Sequence, residues 1–440
     1  MRTWSPGSPF PTCESTDLVR AALSGLTTRG RCLLAAGLAL ALCAVLLGQR
    51  DLLRTAVFLV ALPLIAVVIV ARTRYRLACS RLLDPPRVEA GRDSTVRLRL
   101  DNVSRLPSGV LLMEDALPYV LGGRPRFVLD RVEPNGVREV SYPVRADVRG
   151  RYRVGPLSVR LTDPFGLVEL TRSFASTDDL VVTPAVSPLP AVRLGGDWAG
   201  GGEATVRSVA VSGSDDAATR EYRHGDDLRK VHWRSTARVG ELMVRREEQP
   251  FQSRATLLLD SRTVAHRGDG PGSSFEWAVS AVASVAVALT RSGFSLRVLS
   301  ATGLDLVPAG LPATEGTVLD ALAAVGASRT ESLDPVTERL RRGGVDGVLV
   351  AVVGALAAED AERLSRLRHG TGTCVVVLLD TETWSPTGPR GRQVAAAAYE
   401  ASAALLASTG WRVLRIEQGT TLPAVWPLAG SRGGRSEVGA

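Results

Sequence analysis

The sequence predicts three pieces in series: a membrane helical hairpin, a small β-sandwich of immunoglobulin-like kind, and an α/β domain with a doubly wound sheet. Three observations predict it. Two uncharged apolar runs stand back to back near the N-terminus, and short alternating runs follow to about residue 190. After residue 250, continuous apolar strands alternate with helical segments. At 440 residues, the chain exceeds what one hydrophobic core usually serves, so several domains are expected.

The apolar runs are CLLAAGLALALCAVLLG (32–48) and TAVFLVALPLIAVVIVA (55–71). Each is near the lower limit of the roughly 17–25 residues that span a bilayer as a helix. The connecting QRDLLR is too short for a folded domain, so the pair is expected as a hairpin over 29–84, after a disordered tail at 1–28. Pro63 interrupts the second run, which helix packing in lipid tolerates. Arg20, Arg29 and Arg31 precede the pair and Arg72, Arg74, Arg76 and Arg81 follow it, against Arg50 and Arg54 between the spans. That asymmetry predicts a two-pass cell-membrane protein with both termini and the soluble domains in the cytoplasm.

Charge excludes one function class. The net charge is +8, but residues 1–84 carry ten arginines and four acids, which leaves only +2 for the other 356 residues. The excess flanks the apolar runs, so the lipid bilayer is the expected partner and nucleic acid is not. The five cysteines, Cys13, Cys32, Cys43, Cys79 and Cys374, form no C-x-x-C pair and suggest neither a disulfide framework nor zinc.

Residues 85–192 read as the sandwich. TVRLRL (95–100), REVSYPV (138–144), LSVRL (157–161) and LVV (180–182) alternate as half-buried strands, broken by Gly and Pro turns. The clearest hairpin turns at Asp163, Pro164, Phe165 and Gly166. Pro fixes φ and Gly supplies a positive φ, so Asp163 reads as a turn former. Residues 193–218, rich in Gly, Ser and Ala, read as a flexible linker.

The α/β domain is placed at 251–428, with a disordered tail at 429–440. ATLLLD (255–260), SLRVLS (295–300), GVLVAVV (347–353), CVVVLLD (374–380) and WRVLRI (411–416) are its strands. Helices are expected over 274–293 and near 315–325, 358–368 and 392–408. Ligands of such sheets sit at the carboxyl ends of the strands. Asp260 and Asp380 both stand there, either as oxygen ligands for a hard cation or as caps of the following turn.

Between linker and α/β domain lies TREYRHGDDLRKVHWRSTARVGELMVRREEQP (219–250), which holds two of the four histidines and the single lysine. An enzyme would use His224, Asp226, Asp227 or His232 as acid, base or ligand, but no nucleophile with triad context accompanies them. Phosphate binding is weakened by near balance, with eight bases and six acids over 220–248. A docking surface would use Tyr222, Trp233 and the arginines as anchors. A structural connector would have Asp226 or Asp227 cap a short helix, LRKVHWRSTAR, that ends at Gly240, after which ELMVRREEQ runs as a strand toward the sheet.

Three blocks together resemble the bacterial DUF58 proteins: the hairpin, RGRYRVGPLSVRLTDPFGL (149–167) and REYRHGDDLRKVHWRSTAR (220–238). In the last, the signature is carried by Arg220, Glu221, Tyr222, Gly225, Asp226, Asp227, Arg229, Trp233, Ala237 and Arg238. The resemblance implies a membrane-anchored cytoplasmic protein of poorly defined biochemistry, with a von Willebrand factor type A-like C-terminal domain and a MoxR-type AAA+ ATPase as partner. The residues themselves point to an interaction module and not an enzyme. The resemblance also implies where Mg²⁺ would bind, at Asp-x-Ser-x-Ser after the first strand. Here Asp260 matches, but Arg262 and Val264 replace the serines, and Val353-Gly354 replaces a later Asp. A degenerate site without cofactor is therefore expected, with Asp260, Ser261 and Thr263 as the remaining weak candidates for a metal. The competing reading is a divalent-metal-dependent or hydrolytic enzyme using Asp260, Asp380 or the His224–His232 segment.

Overall fold

The computed structural model describes residues 25–430 apart from 73–76, 105, 106, 109, 163, 164, 193, 195–218, 223–230, 246–253, 308–311, 345, 346, 369–371 and 386. The tail at 1–24, nearly all of the expected linker and the tail from 431 lie outside the described residues. Two compact units emerge. The first runs to Val186 and takes in Asp269–Pro271 and Leu319–Val325, and the second holds the remainder.

The first unit begins with two helices, α1 (Thr28–Leu47) and α2 (Arg50–Arg72). Both are long and apolar enough to cross a bilayer, with mean hydropathy 2.2 and 2.1. They are longer than the apolar runs predict, because Gly48 adopts φ 64° and closes α1 with an N–H bond to the Ala44 carbonyl. The chain reverses within two residues, so Arg50 and Asp51 join α2. Gly30, Gly37 and Ala44 make the buried stripe of α1. A Cβ on Gly37 would lie 2.7 Å from Val60 Cγ2, so only glycine permits this approach of the helices. The other faces are apolar and exposed, with Leu38, Leu42 and Val45 on α1 and Val57, Phe58 and Ile65 on α2.

The sandwich follows as β1 (Leu77–Asp84), β2 (Arg87–Glu89), β3 (Asp93–Asn102), β4 (Leu111–Asp115), β5 (Arg126–Leu129), β6 (Val137–Arg145), β7 (Gly150–Val154), β8 (Leu157–Thr162), β9 (Glu169–Phe174) and β10 (Asp178–Thr183). They form three sheets, β1-β3-β6, β2-β10-β7 and β5-β4-β8-β9. Val96, Leu98, Leu111, Met113, Leu157 and Leu180 from these sheets meet in one core. The expected boundary at residue 85 is corrected, since β1 belongs to the sandwich. Its alternation is hidden because Arg81 takes an inward position beside Leu77, Cys79 and Leu83. Buried Arg81 is held by Asp115 at 2.6 Å and Asp178 at 3.4 Å, and Tyr142 donates to the second Asp115 oxygen at 2.5 Å.

The β8–β9 hairpin is docked on the foot of α1. Gly166 has φ 66°. The Thr27 hydroxyl donates to the Gly166 carbonyl at 2.8 Å, and the Thr27 amide donates to the Leu167 carbonyl at 2.9 Å. Leu167 and Val168 pack with Leu26, Leu33, Leu62, Ala66 and Val67.

The second unit opens with a ribbon, β11 (Thr219–Glu221) paired antiparallel with β12 (Met243–Arg245), and α3 (Trp233–Val239) lies between them in sequence. Its main sheet comprises β13 (Arg254–Leu259), β14 (Ser295–Ser300), β15 (Val348–Val353), β16 (Thr373–Leu379) and β17 (Arg412–Ile416). All its pairings are parallel, in the order β14-β13-β15-β16-β17. The connecting helices are α4 (Ser274–Arg291), α5 (Glu315–Ala324), whose residues from Leu319 on belong to the first unit, α6 (Asp334–Gly343), α7 (Ala358–Ser365) and α8 (Pro389–Ser408), with α9 (Leu422–Val425) after β17. Leu258, Leu349, Ala351 and Val376 bury one sheet face under Leu340 of α6, Leu364 of α7 and Leu406 of α8. α4 lies against β13, β14 and β15. The order reverses beside β13, as in doubly wound α/β folds, and this reversal marks the crevice between the carboxyl ends of β13 and β15.

Candidate functional site

The chain leaves β13 at Asp260, and the site forms within the next two residues. Asp260 is wholly buried and Arg262 is 2% exposed. The arginine folds back onto the aspartate, with Nε 2.9 Å from Oδ1 and Nη2 2.8 Å from Oδ2. Across the crevice, the Gly354 amide donates to the same Oδ2 at 3.3 Å. Nη1 of Arg262 donates to Asp360 Oδ2 at 2.5 Å and to the Glu331 carbonyl at 3.2 Å, and Nη2 reaches the Ala355 carbonyl at 3.3 Å. All five N–H donors of the guanidinium are thereby used. Burial alone would lower the Arg262 pKa, but the Asp260 hydrogen bonds and charge, then those of Asp360, raise it above its ordinary value.

Asp360, in the first turn of α7, is the residue sequence reasoning missed. It is 2% exposed, and its other oxygen accepts from the Leu333 amide at 3.0 Å and from Arg363 at 3.2 Å. Ninety-eight residues separate it from Arg262, and no local pattern announces it. Arg262 itself stands in the sequence as a departure from the metal motif. In the fold it is the cation.

The residues named for a metal do not converge. Ser261 Oγ lies 3.5 Å from Ser328 Oγ, and the Thr263 hydroxyl donates to the Ser328 carbonyl at 2.9 Å. Asp260's oxygens already receive Arg262 and backbone amides, so this donor set does not fit Mg²⁺. Asp380 caps a 3-10 turn, its Oδ1 accepting from the Glu382 amide at 3.2 Å. β15 lies between the strands of Asp260 and Asp380, so the two ends stand about 10 Å apart at the usual strand spacing. They form no pair.

Beside the cluster, the His266 Nε2–H donates to the Asp260 carbonyl at 2.7 Å, which leaves Nδ1 to accept from Ser274 Oγ at 3.1 Å. Burial holds this imidazole below its ordinary pKa, against the opposing pull of Asp260. Glu382 is held below the usual carboxylate range by the Thr387 amide first, then by the Thr387 hydroxyl and Arg267.

The signature segment takes a different shape from the one predicted. The helix was expected from Leu228 but starts at Trp233, because the preceding backbone is taken by β pairing. Val231 bridges Val244, and the His232 amide donates to the Met243 carbonyl at 2.8 Å. Within the strand expected to follow, β12 covers Met243–Arg245 and pairs with β11, and the rest from residue 246 lies outside the described residues. Arg220 and Glu221 lie in β11, and the Tyr222 amide donates to the Leu242 carbonyl at 2.8 Å. Trp233 is 71% exposed, Ala237 and Arg238 are exposed, and Gly240 closes the segment with φ 84°. His224, Gly225, Asp226, Asp227 and Arg229 lie outside the described residues, as do Asp163 and Pro164, while Phe165 is 61% exposed.

Comparison with known proteins adds a family. The model of "Protein of unknown function DUF58" matches residues 218–385, from the ribbon through β16. Over that stretch the chain is similar to the DUF58 family. A similar curated protein is the "Uncharacterized protein YeaD" of Bacillus subtilis (strain 168), 26% identical over 227 residues. That alignment takes in 49% of this chain and 53% of YeaD, so the chain spans about half the length of its relative. Among solved structures, the CARDB domain of a Pyrococcus furiosus protein matches at 13% identity and TM-score 0.20, over 24% of this chain and 93% of that one. A FixG-related protein from Vibrio parahaemolyticus matches at 13% identity and TM-score 0.17, over 24% and 95%.

Proposed function

We propose that this DUF58 protein is a membrane-anchored, cytoplasm-facing interaction module and not an enzyme. Its α1–α2 hairpin is the anchor, its sandwich is immunoglobulin-like, and its main sheet is von Willebrand A-like with a degenerate metal site. Arg262 carries this reading. At the switch point, where doubly wound sheets present ligands, an internal guanidinium pairs with both Asp260 and Asp360, and Arg363 adds a second cation to Asp360. A divalent-metal or hydrolytic mechanism through Asp260 would first have to strip Arg262 from it.

The anchor is supported by the outward apolar faces of both helices and by their length. Twenty residues at 1.5 Å per residue give about 30 Å, the thickness of a bilayer's hydrocarbon core. The arginine excess on the sandwich side of the hairpin supports cytoplasmic placement. The partner is a MoxR-type AAA+ ATPase, as the DUF58 resemblance implies. The exposed Trp233, with Arg238 on the same short helix, is the kind of anchor such contacts favour. A photo-crosslinker placed at Trp233 in the full chain, in its native membrane, tests this. Capture of an AAA+ ATPase is the expected result, and its absence from the adducts counts against the partnership.

A further inference from the structure

The end of the sandwich that meets the helix hairpin exposes large apolar side chains beside the charged Arg131 and Glu133, and the strand register defines it. β1 starts at Leu77 opposite Asn102, and Asp101 pairs with Val137, so β3 ends and β6 begins at the hairpin end. Leu111, the first residue of β4, pairs with Leu129 and Leu161, which places the loop before β4 and the β8–β9 turn at that same end. Those loops carry Val103, Val110 and Phe165, exposed by 56%, 53% and 61%. They are not loose. The Ser108 amide donates to the Val132 carbonyl, and Asn102 donates through its side chain to the Val132 and Glu133 carbonyls. The turn bearing Phe165 is tied to Thr27, the N-cap of α1, through the Gly166 and Leu167 carbonyls. Exposed Arg29 and Arg31 occupy the first turn of that helix.

We infer that this end of the sandwich is a lipid-contact surface, with Phe165 seated in the bilayer interface and Arg29 and Arg31 facing lipid phosphates. The inference rests on the reading of α1–α2 as the membrane anchor and adds a second site of lipid contact to it. Continuity is the main support. The apolar run of α1 begins at Cys32, just past Arg29 and Arg31, and the Phe165 turn is hydrogen-bonded to Thr27 about one turn before it, at the headgroup depth. Apolar side chains such as Phe gain by burial at the headgroup–acyl boundary, and arginines there gain from anionic headgroups. Tyr119, 95% exposed, supplies the contrast. It follows Asp115 at the other end of β4, where Asp115 pairs with Leu157, away from the hairpin.

The test uses the full chain in liposomes of phosphatidylethanolamine and phosphatidylglycerol, with p-benzoylphenylalanine placed singly at Leu42, Phe165 or Tyr119. After irradiation, lipid adducts are read by mass. Adducts at Leu42 and Phe165 with none at Tyr119 are expected. Adducts at Leu42 alone, or equal yields at Phe165 and Tyr119, overturn the lipid contact while leaving the anchor intact. A polypeptide adduct at Phe165 in native membranes in place of lipid overturns it in favour of a protein partner. No lipid adduct at any of the three positions overturns the anchor and the inference together.

Discussion

Arg262 spends every donor it has on two carboxylates and two backbone carbonyls, and the consequences of removing it follow from burial. Arg262→Ala leaves Asp260 and Asp360 buried without their shared counter-charge, which costs about 3–5 kcal/mol. Urea unfolding of the full-length protein should show that loss, and Arg262→Lys should not restore it, because a point charge cannot reproduce the fork. His266 gives the second residue-scale prediction. Its pKa is lowered by burial from 6.5, so below pH 6.5 the unfolded chain takes up a proton that the native imidazole refuses. Stability should therefore fall as pH drops from 6.5 toward the native pKa, and His266→Gln should flatten that slope in unfolding midpoints measured across pH. The thiols give a third. Burial pushes Cys79 up to about 12 and Cys374 up to about 11, so neither is a thiolate at neutral pH. Both should resist alkylation in the native protein and react once it is unfolded, as read by peptide mass. What the sequence could not convey at this scale is distance. Arg262 and Val264 were legible as departures from a metal motif, but Asp360 enters only through packing.

At the scale of elements, the main sheet was the most legible part. β13, β14, β15, β16 and β17 fall within a residue or two of their apolar runs, because strands buried on both faces need no alternation to be recognised. β1 was invisible for the opposite reason: an inward arginine broke its alternation, and the Asp115 that compensates it lies thirty-four residues away. The signature helix starts later than its capping aspartates suggested, because Val231 and His232 are taken by β pairing with Val244 and Met243. The switch point also depends on close approach between elements. A Cβ on Gly354 would lie 2.1 Å from the Ala265 carbonyl oxygen. Gly354→Ala should push β15 from the loop after β13 and disturb the amide that Asp260 accepts. A loss of about 1–3 kcal/mol in urea unfolding is expected, as for other overpacked sites.

At the scale of the whole molecule, charge and hydropathy are arranged along the chain and not around one surface. The bulk of the positive excess sits with the hairpin, which is why the raw net charge misleads toward nucleic acid. Cytoplasmic placement predicts that a cysteine at Gln49, in the turn between α1 and α2, reacts with a membrane-impermeant maleimide from outside intact cells, whereas one at Ser158 does not. The reverse pattern would invert the topology. The reading of the second unit as a binding module without a metal turns on whether Arg262 has taken the cation's place. Thermal unfolding of the full-length protein with chelator, and then with saturating Mg²⁺ or Mn²⁺, tests this most directly. An unchanged midpoint in the wild type is the result expected, whereas a metal-dependent rise that Asp260→Asn abolishes would contradict it.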